Sequence, residues 1–241
     1  MLLKTSMNPA QPILKHDLER FFDGLHVRLE AADATRRELD RYLGSRFNLF
    51  EVLNLGENRL SSLLASLLDP RGGHGQGSQF LESFIKMLPK EVCEKTAGLN
   101  LKTATIKTED ATSDNRRIDI VISFGNQFSI GIENKPWASD QKNQLEDYAS
   151  YLGKNYDDYV LVYLTGYSIE PSEYSISRDR YHQLLQNYRI YTIPYNSTFL
   201  QWIIKASSDC EAEKIRWLLR DFAVWVEKEF PLLTKQALRT E

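Results

Sequence analysis

Up to about residue 88 the apolar positions of this chain recur at steps of three and four, and from Asn100 they recur at steps of two. The first period is that of helices buried on one face, the second that of strands. Residues 1 to about 12 read as a loose tail. From Ile13 to about Tyr42, Leu14, Leu18, Phe21, Leu25 and Leu29 trace a helical stripe. Gly24 lies inside it and is expected to weaken or break it, at roughly 1 kcal/mol relative to Ala. Leu39, Tyr42, Leu43 and Phe47 suggest a second helical piece. A further helix sets Glu57, Leu60, Leu64 and Leu67 on one face and ends at Asp69-Pro70. The glycine-rich run RGGHGQGSQF follows a helix and has no Gly-Lys-Ser/Thr ending, so it is no P-loop. It is expected to reverse the chain before a short helix carrying Phe80, Leu81, Phe84, Ile85 and Leu88, with Ser78 as its N-cap.

LKTATIKT then reads as a strand and EDATSDN as a polar loop. Ile118 to Phe124 and Phe128 to Lys135 form the arms of a hairpin, and a helix begins near Ser139. Tyr159 to Thr165 (YVLVYLT) is continuously apolar, as a central strand covered on both faces would be. Residues 166–180 read as loop, Arg189 to Ile193 as a short strand, and Thr198 to Ala206 and Asp209 to Glu229 as helices. This order predicts one α/β domain with a mixed central sheet flanked by helices. Helical additions at 13–50 and 206–241 are expected to flank its core.

The hairpin register can be argued from the residues alone. A three-residue loop, Gly125-Asn126-Gln127, sets Phe124 opposite Phe128, Ile122 opposite Ile130, Ile120 opposite Ile132 and Asp119 opposite Glu133. A two-residue loop would oppose Ile122 to Ser129 and Ile120 to Gly131, and would send the two acids to opposite faces. The register that pairs the isoleucines also pairs the acids, and it is the one expected.

In that register Asp119, Glu133 and Lys135 share a face. Two carboxylates about 5 Å apart repel unless a cation or proton lies between them. Hard oxygen ligands at this spacing suit Mg²⁺ or Mn²⁺, and Lys135 is placed to serve a water or to offset charge on a phosphate. The plainer alternative is a salt-bridged, solvated sheet edge. Glu57 either caps its helix against the dipole or aims a carboxylate at the same metal. Gln141, Gln144 and Tyr148 fall on one helical face, where they can bond a phosphate or the acids, although Tyr148 is equally read as a core aromatic. Arg116 and Arg117 either contact phosphates or are simply solvated. His74 is a loop histidine, structural or substrate-facing.

Bulk properties narrow this only a little. The net charge of −3 and pI near 5.9 give no global basic footprint, so nucleic acid would have to be held by a local cluster. The two cysteines, Cys93 and Cys210, lack a CxxC pattern and suit a reducing cytosol. MLLKTSMNPAQP lacks a signal-peptide run, and no segment approaches the roughly 18 apolar residues of a membrane span. A soluble cytoplasmic protein is expected.

Asp119, then Glu133-x-Lys135, then Gln144-x-x-x-Tyr148 on the next helix resemble the PD-(D/E)xK nuclease superfamily, in the variant of its exonuclease-like and RecB-like branches. ENRLSSLLASLLDPRGGHGQGSQFL and IENKPWASDQKNQLEDYASYL further resemble a bacterial family within it, and the likeness spans about residues 50 to 205. The resemblance implies a restriction-endonuclease-like core and a metal-dependent nuclease, with Mg²⁺ (or Mn²⁺) as cofactor and DNA ahead of RNA as substrate. It implies Asp119 and Glu133 as direct ligands, helped by the Asn134 carbonyl, with Glu57 reaching the metal through water. Lys135 would serve the attacking water, and Gln144 and Tyr148 would support the site or hold DNA. A restriction or phage-defence setting is implied in the same way. Ile118 stands where the superfamily's name has proline, and Pro136 ends the strand after Lys135. Two other classes stay open: a non-enzymatic nucleic-acid or protein-interaction module that keeps the fold, and a scaffold that forms a homo-oligomer through its leucine-rich N-terminal helices.

Overall fold

The computed structural model describes residues 10–44, 47–111, 117–137, 139–167 and 169–232, without the side chains of 10–15, 43, 110 and 111. It divides into two compact units, Met1–Asn48 and Leu49–Glu241. Among the described residues of the first unit the one element is a helix, α1 (Ala10–Leu43). It runs unbroken through Gly24, contrary to the expected interruption, because one glycine costs less than the hydrogen bonds of a continuous helix return. It also takes up Ala10 to Pro12 from the expected tail, while 1–9 lie outside the described residues. Leu18, Phe21, Leu25 and Leu29, which carried the periodicity, are exposed.

The second unit opens with α2 (Leu49–Leu53), α3 (Glu57–Leu68), α4 (Gln79–Met87) and α5 (Lys90–Thr96). Ser78 stands at the N-cap position of α4, but its side chain makes no capping bond. The expected strand at LKTATIKT starts later, since Leu101–Thr103 is a 3₁₀ turn whose Asn100 side chain accepts from the Lys102 amide. β1 (Thr105–Ala111), β2 (Arg117–Phe124), β3 (Phe128–Lys135), β4 (Asp158–Thr165) and β5 (Ile190–Pro194) form one sheet in sequence order. β1–β2 and β2–β3 are antiparallel, whereas β3–β4 and β4–β5 are parallel. This is the mixed sheet that the order of elements predicts. The parallel pairs are bridged by α6 (Gln144–Asn155) and α7 (Arg178–Gln186), and α8 (Leu200–Asp209) and α9 (Glu213–Glu229) follow.

The hairpin takes the predicted register: Phe124 faces Phe128, Ile122 faces Ile130 and Ile120 faces Ile132. Gly125 has φ of +58°, the left-handed conformation that a three-residue loop demands. The sheet is buried on both faces. Ile120, Ile122, Ile130, Ile132, Val160 and Val162 pack with α3, α4, α8 and α9, and Val121, Tyr159 and Leu161 pack with α6 and α7. Gly131 lets α6 close on β3, because a Cβ there would sit 2.7 Å from Leu152 Cδ1.

α6 begins at Gln144, five residues after the expected start near Ser139, because Asn143 takes φ of +54° and turns the chain into the helix. α7 begins at Arg178, inside the stretch expected to be loop. The C-terminal helical part is split at Cys210, and residues 233–241 lie outside the described chain. No described helix is long and apolar enough to cross a membrane.

Candidate active site

The hairpin carries its acids past the last paired residues. The β2–β3 pairing ends at Ile120 with Ile132, and beyond it a side chain takes over the ladder: the Asn134 amide donates to Asp119 Oδ2 at 2.8 Å. Glu133 and Lys135 alternate with Asn134 along β3, so they emerge on the α6 face of the sheet. Asn134 turns the other way. Its Nδ2 donates to Ser61 Oγ of α3 at 3.0 Å, and its Oδ1 accepts from the Tyr195 hydroxyl at 2.9 Å. The side chain of Asn134 is therefore a buried strut, and only its backbone lies at the site.

Glu133 is 1% exposed, yet its Oε2 has no hydrogen-bond partner. Its Oε1 accepts from Gln144 Nε2 at 2.7 Å and lies 3.1 Å from Lys135 Nζ. Lys135 Nζ lies 3.8 Å from Glu57 Oε1, close enough for charge attraction but not for a hydrogen bond, and that oxygen too has no partner. Glu57 is the first residue of α3, where the helix dipole favours an acid and where its side chain reaches toward β3. Gln144 also donates to the Tyr148 hydroxyl at 3.1 Å, and Tyr148 in turn donates to the Arg117 carbonyl at 2.5 Å. The first turn of α6 is thus clamped to Glu133 and to the start of β2.

Glu57, Asp119, Glu133, Lys135, Gln144 and Tyr148 all line one cavity of about 430 Å³, together with Asn58, Arg117 and Gln141. Gln141 lies before α6, not on its face, and its amide donates to Gln144 Oε1 at 3.3 Å. Arg117 pairs with Glu109 at 3.1 Å, and Arg116 falls outside the described residues. His74 is buried away from this cavity. It accepts from the Gln76 amide through Nδ1 and meets the Asp69 carbonyl through Nε2, so it ties the glycine-rich loop together.

Three carboxylates meet one ammonium here, and burial sets their proton affinities. Burial and the Asp119 charge push the Glu133 carboxyl up to about 8, against the pull of Lys135. Burial raises Asp119 to about 6, although the Asn134 amide and Lys135 oppose it, and burial likewise raises Glu57. Burial acts to lower Lys135, but Glu133, Glu57 and Asp119 outweigh it and hold the ammonium above its ordinary range. Such a cluster draws in positive charge.

Among the described residues no three His, Cys, Asp or Glu side chains already surround one point as in a closed metal site. A closed site is not needed for Mg²⁺, which keeps several waters and binds through one or two carboxylates. The unpartnered Glu133 Oε2 beside Asp119 fits that demand.

A family model of the PD-(D/E)XK nuclease superfamily matches residues 47–223. The chain belongs to that superfamily. The match runs from the residues before α2 into α9, so it takes in the whole sheet and every residue of the acid-lined cavity. No curated protein and no solved structure matches the chain significantly. A nuclease-type fold with a nucleic-acid substrate follows from the family, and divalent metals are the usual cofactors of its members.

The sequence reading missed Ser61 and Tyr195, which fix Asn134, and Asp140, which accepts from the Tyr163 hydroxyl at 2.8 Å and the Ser172 amide at 2.7 Å. For Asp140 the one signal in the sequence was an acid shortly after the Glu-x-Lys strand.

Proposed function

We propose that this protein is a Mg²⁺- or Mn²⁺-dependent nuclease that hydrolyses phosphodiester bonds, in DNA ahead of RNA. The observation that carries the proposal is the Glu133 carboxylate, almost wholly buried, with Oε2 unpartnered beside Asp119 and Lys135. An acid so costly to bury serves no packing purpose, and a cation would satisfy it.

Asp119 and Glu133 would hold such an ion, with the Asn134 carbonyl as a further oxygen and Glu57 acting on it through water. A divalent ion so bound supplies Lewis acidity at the scissile phosphate. Gln144 keeps Glu133 aimed at the cavity, and the Asn134 amide does the same for Asp119. Lys135, held cationic by the acids around it, hydrogen-bonds the attacking water and offsets the charge that gathers on the phosphoryl oxygens. Tyr148 fixes the α6 end of the cavity. DNA is placed ahead of RNA on the superfamily resemblance.

The test is cleavage of labelled DNA and RNA with Mg²⁺, Mn²⁺ or EDTA by wild type, Asp119→Ala and Lys135→Ala. Metal-dependent cutting by wild type and at least a hundredfold loss in both variants is expected. Equal cutting by all three would remove Asp119 and Lys135 from the chemistry, and no cutting by wild type of either nucleic acid would leave a fold that binds without catalysis.

A further inference from the structure

A second cavity, about 620 Å³, opens at the carboxyl ends of β3 and β4 and shares Lys135 with the acid-lined one. Its walls differ in kind. Trp137, Ile169 and Tyr174, which are 47, 62 and 59% exposed, all line it. Lys135 is the only cation among the described lining residues, and Asp140 and Glu170 are acidic. A phosphate would meet two carboxylates there, whereas a neutral, flat, apolar-faced group would meet aromatic surface.

The walls are also fixed in advance. The Trp137 indole N–H donates to Glu229 Oε1 at 3.0 Å, and its ring packs against Trp225 and Phe230 at 6.0 and 5.8 Å between centroids. Asp140 binds the Tyr163 hydroxyl and the Ser172 amide, which ties the chain before Tyr174 to the end of β4. A Cβ on Gly166 would run into the Pro136 carbonyl oxygen, so the turns after β3 and β4 are in close contact. Walls already in place need little ordering when a ligand enters.

The inference rests on reading the acid-lined cavity as the place of phosphodiester cleavage. In a nucleic-acid strand the group beside a phosphate is a nucleoside, and the aromatic cavity begins at the lysine of that site. A base inside a duplex is already stacked on its neighbours, whereas an unpaired base gains by stacking on an aromatic side chain. We propose that the cavity lined by Trp137 and Tyr174 seats the unpaired base of a nucleotide next to the scissile phosphate, which makes single strands and frayed ends the preferred substrates.

The experiment measures binding of the full chain, with Ca²⁺ in place of Mg²⁺, to a fluorescent oligothymidylate and to a strand of equal length made wholly of abasic sites. Both carry the same phosphates, so the ratio of affinities isolates the bases. Wild type is expected to prefer the base-bearing strand about tenfold, and Trp137→Ala and Tyr174→Ala to lose most of that preference, with Trp137→Phe restoring it. Tyr174 is largely exposed, so its variant answers the question if Trp137→Ala folds poorly. Equal binding of the two strands by wild type, a ratio unchanged in the variants, or no binding of either strand overturns the proposal. A strand bound with base preference but never cut under Mg²⁺ or Mn²⁺ sinks the nuclease reading instead and leaves the base pocket standing.

Discussion

Gln144 Nε2 donates to Glu133 Oε1 at 2.7 Å, and the other oxygen of that carboxylate has no partner. One oxygen is held and one is offered. Because Gln144 is the first residue of α6 and also bonds Tyr148, the helix start sets the direction of the acid.

Gln144→Ala should therefore cut kcat about ten- to a hundredfold while leaving the fold intact, the usual cost of losing a partner that orients a metal-binding group. Steady-state kinetics with Mg²⁺ and a thermal midpoint check both halves. A midpoint unchanged together with an unchanged kcat would remove Gln144 from the site.

The metal-free protein should lose stability as pH rises. Native Glu133 keeps its proton up to about 8, whereas an unfolded glutamate releases it near 4.5. Between those values the native state binds more protons, so stability is full below the lower one and falls through the window, by on the order of a few kcal/mol. Asp119 adds a fall in the same sense up to about 6. Urea titrations in EDTA across this range should show the slope, and Glu133→Gln should flatten it.

For the same reason Mg²⁺ binding should release protons at neutral pH, since the acids must ionise to hold it. Calorimetry in buffers of different ionisation enthalpy reads the number directly. Wild type should release protons, and Glu133→Gln should release fewer.

Tyr195→Phe should destabilise the protein by about 1–2 kcal/mol, because the Asn134 Oδ1 it satisfies is fully buried. Denaturant unfolding gives the value. Activity should fall as well, since Asn134 spaces Glu133 from Lys135 along β3, and a stability loss without any change in kcat would confine Tyr195 to packing.

Gly166→Ala should cost about 1–3 kcal/mol, because the added methyl meets the Pro136 carbonyl and the Phe230 ring. A chemical-denaturation curve indistinguishable from wild type would show that the two turns part easily.

The hairpin and its acids were legible in the sequence because a two-residue period leaves only two registers, and Ile120 and Ile132 choose between them. β4 was legible because a strand covered on both faces spells a continuous apolar run. Other features have no local signature. α7 buries only Tyr181 and Leu184, too thin a stripe to read as a helix. The partners of Asn134 lie 73 and 61 residues away, at Ser61 and Tyr195, and only the folded sheet brings them in. The late start of α6 hangs on one backbone angle at Asn143.

The strictly sequential sheet has a consequence for synthesis. Glu57, Asp119, Glu133, Lys135, Gln144 and Tyr148 all leave the ribosome before β4 does, and β3 pairs with β2 on one side and with β4 on the other. From its own emergence until β4 has followed, with all of α6 in between, the strand that bears Glu133 and Lys135 is an open edge, able to pair with another extended chain. The nascent protein is thus most prone to misassemble at the strand on which its chemistry depends.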